Sequence, residues 1–150
     1  MFTIVRATTT DVDVERAREA MLELHERKAF DHDAMLNFLA EPANYLFLAF
    51  EGERVAGSLF GYSLVHPPMR EPQFLLYEID VRPQSRRRGI GKALVQAFVT
   101  AARAAGAFEV WVITNQSNTA AMAMYAACGL RRENPDDVML ALSLGARLLE

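Results

Sequence analysis

Glu78 and Asp80, two carboxylates two positions apart, stand just ahead of three consecutive arginines, Arg86-Arg87-Arg88, and a Gly89-Ile90-Gly91 turn. A carboxylate can take a proton from a substrate or hold a cation. Arginines grip phosphate oxygens through charge-assisted hydrogen bonds. Gly89 and Gly91 lack the Cβ atoms that would keep an anion at a distance, and they permit positive φ. The stretch places a proton acceptor beside an anion cradle.

The elements around it fit that purpose. Phe74 to Val81 is apolar, β-branched or aromatic at most positions and reads as a strand, which Pro83 and Ser85 end. From Ile90 the apolar residues Ile90, Leu94, Ala97, Phe98, Ala101 and Ala105 recur at helical spacing, with Lys92, Gln96 and Arg103 off the stripe. A helix therefore opens straight out of the basic turn. Its first N–H groups lack partners and carry partial positive charge, which suits an anion. Neither G-x-G-x-x-G nor G-x-x-x-x-G-K-[ST] occurs, so this is not one of the two common phosphate loops.

Bulk properties narrow the classes. The 150 residues make one typical domain, 1–150, 51% apolar and 23% charged. A net charge of −3 gives no general support to nucleic-acid binding despite the arginine run. It suits an anionic cofactor beside a cationic substrate. Cys128 is the one cysteine, which rules out an internal disulfide, and no Cys/His cluster has metal spacing. No signal-peptide core and no apolar run of about 18 residues is present, so a cytoplasmic location without membrane contact is expected.

In chain order the pattern predicts a strand over Phe2–Ala7, a helix over Val12–Lys28 and a second helix after Asp31-His32-Asp33, stopped by Pro42. A hairpin follows, Tyr45–Phe50 and Arg54–Val65, turning at Glu51-Gly52-Glu53. After the central strand and helix come a strand at Phe108–Thr114, a helix at Thr119–Cys128 closed by Gly129, a strand starting at Leu130 and a last strand at Val138–Leu144. The order βααβββαβαββ predicts an α/β fold, a central mixed sheet with helices on both faces.

Arg86-Arg87-Arg88-Gly89-Ile90-Gly91 resembles the acetyl-coenzyme A pyrophosphate loop, [QR]-x-x-G-x-[GA], of the GCN5-related N-acetyltransferases (GNAT). Asn118-Thr119-Ala120-Ala121-Met122-Ala123-Met124-Tyr125-Ala126-Ala127-Cys128-Gly129-Leu130 resembles the same family's N-x-x-A-x-x-x-Y-x-x-x-G-[FL] segment, and the two matches span residues 74 to 130. A closer resemblance, to the small aminoglycoside 3-N-acetyltransferases of the gentamicin-resistance type, rests on further stretches. These are Asn37-Phe38-Leu39, Tyr45–Phe50, Val55–Leu59, Tyr77–Val81 and Asp136-Asp137-Val138-Met139. That group often has Asp where Glu78 stands, which preserves the carboxylate.

The resemblance implies the GNAT fold, acetyl-coenzyme A as cofactor and a polycationic amine as acceptor, with a homodimer as the assembly. It implies cofactor contacts at Ile79, Val81, Arg86, Arg87, Arg88, Gly89, Ile90, Gly91, Lys92, Asn118 and Tyr125. An ammonium with a pKa near ~10.4 must lose a proton before it can attack a thioester. Glu78 is the expected base, directly or through one water, since it matches the family's carboxylate position; Asp80 would hold the ammonium or support the loop. A regular pleat would put both on one face, and a bulge would change that. Tyr125 would protonate or steady the departing thiol, and a backbone N–H near Ile79–Val81 would meet the oxyanion.

An acidic acceptor site is expected for a polycation. Its candidates, besides Glu78 and Asp80, are Asp33, Asp136 and Asp137, with Asp31, Glu41 and Glu71 as weaker ones. Cys128 reads as a buried small apolar residue. His25, His32 and His66 read as dispersed; His32 could border the acceptor site, with a surface role the expected one for it. Acetylation of another amine (a peptide N-terminus, a lysine or a polyamine) and non-catalytic acyl-coenzyme A sensing are the competing readings.

Overall fold

The structure is a computed structural model and describes residues 1–145. Its elements are β1 (Thr3–Arg6), α1 (Asp11–Glu23), α2 (His32–Ala40), β2 (Asn44–Glu51), β3 (Arg54–Leu64), β4 (Gln73–Val81), a 3-10 turn (Pro83–Ser85), α3 (Ile90–Ala104), β5 (Glu109–Val112) and α4 (Thr119–Ala127). The strands form one sheet in the order β1-β2-β3-β4-β5. All neighbours are antiparallel except β4 and β5, which run parallel. The expected mixed sheet with helices on both faces is present.

Alternation along the strands divides the core in two. On one face Phe47, Leu59, Phe74 and Leu76 pack with Leu94, Val95 and Phe98 of α3 and Tyr125 of α4. On the other, Leu46, Leu48, Val55 and Phe60 pack with Ala17, Ala20, Met21 and Leu24 of α1. The helix starts follow local chemistry. Thr10, Asp31 and Asn118 each accept a hydrogen bond from a first-turn N–H of α1, α2 and α4.

Two expectations fail in instructive ways. The helix read over Val12–Lys28 ends at Glu23, because Glu26 adopts a left-handed φ of 54° and the chain turns back under the sheet. The strands read at Leu130 and Val138–Leu144 do not form among the described residues. The alternating pattern is there, but a strand also needs an edge to pair with, and the segment lies on none. Residues 146–150, part of the expected single domain, lie outside the described residues.

The central strand carries a bulge. Gly61 pairs with Leu76 and Phe60 with Glu78, so Tyr77 is surplus to the ladder. Gly61 is required there: a Cβ would sit 2.3 Å from the Leu75 carbonyl oxygen and 2.6 Å from the Phe98 ring. Pairing of β4 to β5 stops at Leu76–Val112, immediately before the bulge, so Tyr77–Val81 runs on without a neighbour on that side.

Candidate active site

From Glu78 to Val81 the register with β3 is regular, which puts Glu78 and Asp80 on one face, toward α1. The bulge comes one residue earlier and leaves that geometry intact. Ile79 and Val81 point the opposite way and pack against the α3 cluster, so only their backbone is free to meet a ligand.

His25 was misread. Its ring is buried beneath the sheet, with Nδ1 2.8 Å from Glu78 Oε2 and Nε2 3.1 Å from the hydroxyl of the fully buried Ser58. The Glu78 contact is close but off the N–H direction, so neither atom has a well-aligned hydrogen bond. Arg27 Nη2 sits 3.3 Å from Glu78 Oε1. His25, helped by Arg27, holds the Glu78 carboxyl below the usual carboxylate range against the opposing effect of burial. The signal in sequence was weak: a histidine followed at once by Glu26-Arg27-Lys28 looks solvated.

Asp80 differs. Burial raises its pKa, partly offset by His25, by the Val81 N–H (3.2 Å from Oδ1) and by Arg86 (Nη2 at 3.9 Å). One carboxylate is therefore held ionised beside a buried imidazole, while burial shifts its neighbour on the same face in the opposite direction.

The basic turn is bolted to the sheet on both sides. Arg82 is buried and donates through Nε to the Val55 carbonyl (2.8 Å), through Nη1 to Glu23 (2.6 Å) and through Nη2 to Glu19 (3.1 Å). Glu51 accepts from the Ser85 hydroxyl and from Arg88 Nη1 at 2.5 Å. Arg86 Nε donates to the Val81 carbonyl at 3.1 Å. Arg87 makes no ion pair among the described residues and lies in the left-handed region at φ 64°, as Gly89 does at 84°.

That geometry fits a phosphate group. Two left-handed residues turn successive N–H groups inward. α3 is the one α-helix among the described residues whose start has no side-chain cap, so its first donors are open to a ligand. Nothing stands within 4 Å of where a Gly89 Cβ would be. Gly91 faces α4, with Met124 Sδ 2.7 Å from its absent Cβ. Ile90 is a correction: its side chain is buried in the core, which leaves only its N–H for a ligand. Lys92 is exposed on the first turn of α3.

Tyr125 is buried against the α3 cluster, and burial pushes its phenol pKa up. No hydrogen bond holds its hydroxyl among the described residues. Asn118 spends its side-chain oxygen on the Ala121 N–H as the cap of α4. Cys128 is half-buried, with Sγ 3.8 Å from the Lys92 carbonyl. Asp33 is exposed on α2 and reaches only His32 of its own helix, at 3.6 Å. Asp136 and Asp137 are exposed beyond α4. None of these three acids touches Glu78 or Asp80, so the acceptor site expected from them is not assembled here. Among the described residues no group of three metal-ligating side chains occurs, and no helix is long and apolar enough to cross a membrane.

Residues 12–130 match the family described as the acetyltransferase (GNAT) family. Human N-acetyltransferase 8 is 31% identical over 100 residues, which is 67% of this chain and 44% of that protein, so the chain spans less than half of this curated relative. Among solved structures, an aminoglycoside acetyltransferase from an uncultured soil metagenomic sample superimposes with a TM-score of 0.82 at 23% identity, covering 96% of this chain and 97% of its own. It was also solved in complex with sisomicin, at a TM-score of 0.79. An aminoglycoside N-acetyltransferase in complex with CoA gives a TM-score of 0.71 at 21% identity, covering 97% of this chain and 96% of its own. The chain belongs to the acetyltransferase (GNAT) family.

Proposed function

We propose that this member of the GNAT family transfers an acetyl group from acetyl-coenzyme A to an amine of an aminoglycoside, at the 3-amino group. The observation that carries the reading is the Glu78–His25 pair. Glu78 lies on the part of β4 that runs on past its pairing with β5, between the bulge and the basic turn, and His25 reaches it from just past the end of α1. Acetyl-coenzyme A supplies the activated acetyl thioester. Arg87 and the open N–H groups at the start of α3 would hold its pyrophosphate.

Glu78 takes the proton from the acceptor ammonium at a carboxylate oxygen. Its low pKa keeps it ionised and ready to accept, and the buried His25, 2.8 Å from Oε2, fixes the orientation of the carboxylate. Asp80, on the same face, attracts the ammonium and steadies Arg86. Tyr125 keeps its proton at neutral pH because burial disfavours the phenolate, so its hydroxyl is a donor for the departing sulfur. The backbone of Tyr77–Val81, unpaired on the β5 side, offers N–H groups for the acyl oxygen.

Two carboxylates on one face suit a polycation, and the fold likeness to a protein solved with sisomicin supports an aminoglycoside as that polycation. The similarity to human N-acetyltransferase 8 supports a second reading, acetylation of a different amine. The test is thiol release from acetyl-coenzyme A with gentamicin, spermidine and a lysine peptide as parallel acceptors. Release with gentamicin and one acetyl mass on the drug is the expected result. Release only with another acceptor would discard the substrate while keeping the chemistry, and no release with any would overturn both.

A further inference from the structure

The bulge does more than end the β4–β5 ladder. In an unbroken strand Tyr77 and Glu78 would point to opposite faces; the surplus residue puts both on the face that carries α1. The ring contacts bear this out. Tyr77 stacks on Phe60 at 5.6 Å between centroids and 29° between planes, and meets Tyr62 at 5.8 Å and 83°. Phe60 in turn meets the ring of His25, the imidazole beside Glu78, at 5.4 Å.

The Tyr77 ring is held and yet open. Phe38 packs edge-on against Phe60 at 6.3 Å and against Tyr62 at 5.9 Å, so Tyr77 stands on rings that are themselves fixed. The apolar cluster beneath α1 and α2 takes its strand residues from β2 and β3, and none from β4 or β5 among the described residues. The helices on this face therefore stop short of Tyr77, which is 56% exposed. Glu78 and Asp80 follow it along the strand, on the same face.

A fixed aromatic face beside two carboxylates selects a particular shape of cation. The carboxylates take ammonium groups. The negative face of the ring attracts an ammonium and also the polarised C–H groups of the carbons next to it. An aminocyclitol or amino sugar presents both from one rigid ring. A linear polyamine or a lysine side chain must freeze several bond rotations to lie along the same surface.

We propose that Tyr77 is a specificity-determining residue of the acceptor site, its exposed ring packing against the ring of a cyclic amine while Glu78 faces the amino group that is acetylated. This rests on the aminoglycoside reading above and adds the side chain that selects a rigid ring over a flexible chain.

Initial rates with gentamicin at saturating acetyl-coenzyme A test it on the parent, Tyr77→Ala and Tyr77→Phe chains. Tyr77→Ala is expected to raise KM for gentamicin about tenfold, with kcat and the calorimetric affinity for coenzyme A nearly unchanged. Tyr77→Phe, which keeps the ring, is expected to restore the parent KM. A parent KM in Tyr77→Ala, a loss confined to kcat, or a Tyr77→Phe chain as impaired as Tyr77→Ala would overturn the proposal and leave the aminoglycoside reading standing. A parent chain that acetylates spermidine but not gentamicin would overturn both. The contact is also read without any substitution, in case Tyr77→Ala does not fold. Parent chain 13C-labelled at tyrosine is mixed with coenzyme A and gentamicin, and nuclear Overhauser effects from the tyrosine rings to the drug's ring protons are recorded. Effects from Tyr77 are expected; their absence with the drug bound would overturn the proposal.

Discussion

Replacing His25 by alanine removes a buried ring with two polar contacts, Glu78 at 2.8 Å and Ser58 at 3.1 Å, and an edge-on contact with Phe60 at a centroid distance of 5.4 Å. The hydroxyl of fully buried Ser58 is left without a partner, which costs about 1–3 kcal/mol. Loss of the charge-assisted contact to half-buried Glu78 and the void left by the ring raise the total to roughly 3–5 kcal/mol. At about 2–4 °C per kcal/mol for a chain of this size, the melting temperature falls by on the order of 10 °C at pH 7. Scanning calorimetry reads this directly. A second consequence separates a functional His25 from a merely structural one. His25 is the largest cause of the lowered Glu78 pKa, so its loss moves the acidic limb of kcat/KM to higher pH. The stabilisation that Glu78 provides is present in full above its unfolded value, near 4.5, and is lost as pH falls through the lower folded value. The His25→Ala chain should therefore lose less additional stability on acidification than the parent does. Ser58→Ala, which cuts only the far contact, should leave the limb in place. A His25→Ala melting temperature within about 2 °C of the parent, or an unmoved acidic limb, would refute the reasoning.

Three further perturbations separate the parts of the site. Glu78→Gln should lower kcat by roughly 10²–10⁴-fold while coenzyme A binding, measured by calorimetry, changes little; equal losses in both would remove Glu78 from proton transfer. Arg87→Ala should weaken coenzyme A binding by about tenfold, the worth of one charge-assisted hydrogen bond, with an unchanged melting temperature, since Arg87 has no ion pair to lose among the described residues; unaltered affinity would mean the cradle works by backbone alone. Gly61→Ala should cost about 3 kcal/mol or more in denaturant unfolding, because the new Cβ meets a backbone oxygen that cannot move aside; a neutral result would show that the bulge relaxes easily.

Much of the anion cradle was legible because its chemistry is local. Arginines, two glycines and an uncapped helix start sit within one turn of chain, and the sheet class followed from the order of periodic segments. The candidate catalytic face was only partly legible. Glu78 and Asp80 could be placed on one face from the pleat, but the buried His25 could not, because the residue that turns it inward is a left-handed Glu26, a conformation no simple pattern announces. Arg82 was equally hidden: its partners Glu19 and Glu23 lie on a helix far back in the chain. The bulge, by contrast, was written in the sequence, and the reading raised it without fixing its position. The apolar side chains facing α3, Phe74, Leu76, Ile79 and Val81, step by two, then three, then two, and the odd step marks Tyr77. The segment at 138–144 shows the opposite failure, an alternating pattern that forms no strand among the described residues.

The surplus residue also changes how related chains should be compared. Because Glu78 stays opposite Phe60 and Asp80 opposite Ser58 whether or not Tyr77 intervenes, a chain one residue shorter here would keep every later side chain on its present face. What it would lose is the local bend that ends the β4–β5 ladder at Leu76, and with it the reason for the two strands to part. A single-residue gap at position 77 is therefore not neutral length variation of the kind that loops tolerate. It distinguishes a sheet with an opening from a sheet that has zipped shut, and it does so in a stretch where every residue that could be called functional would still align.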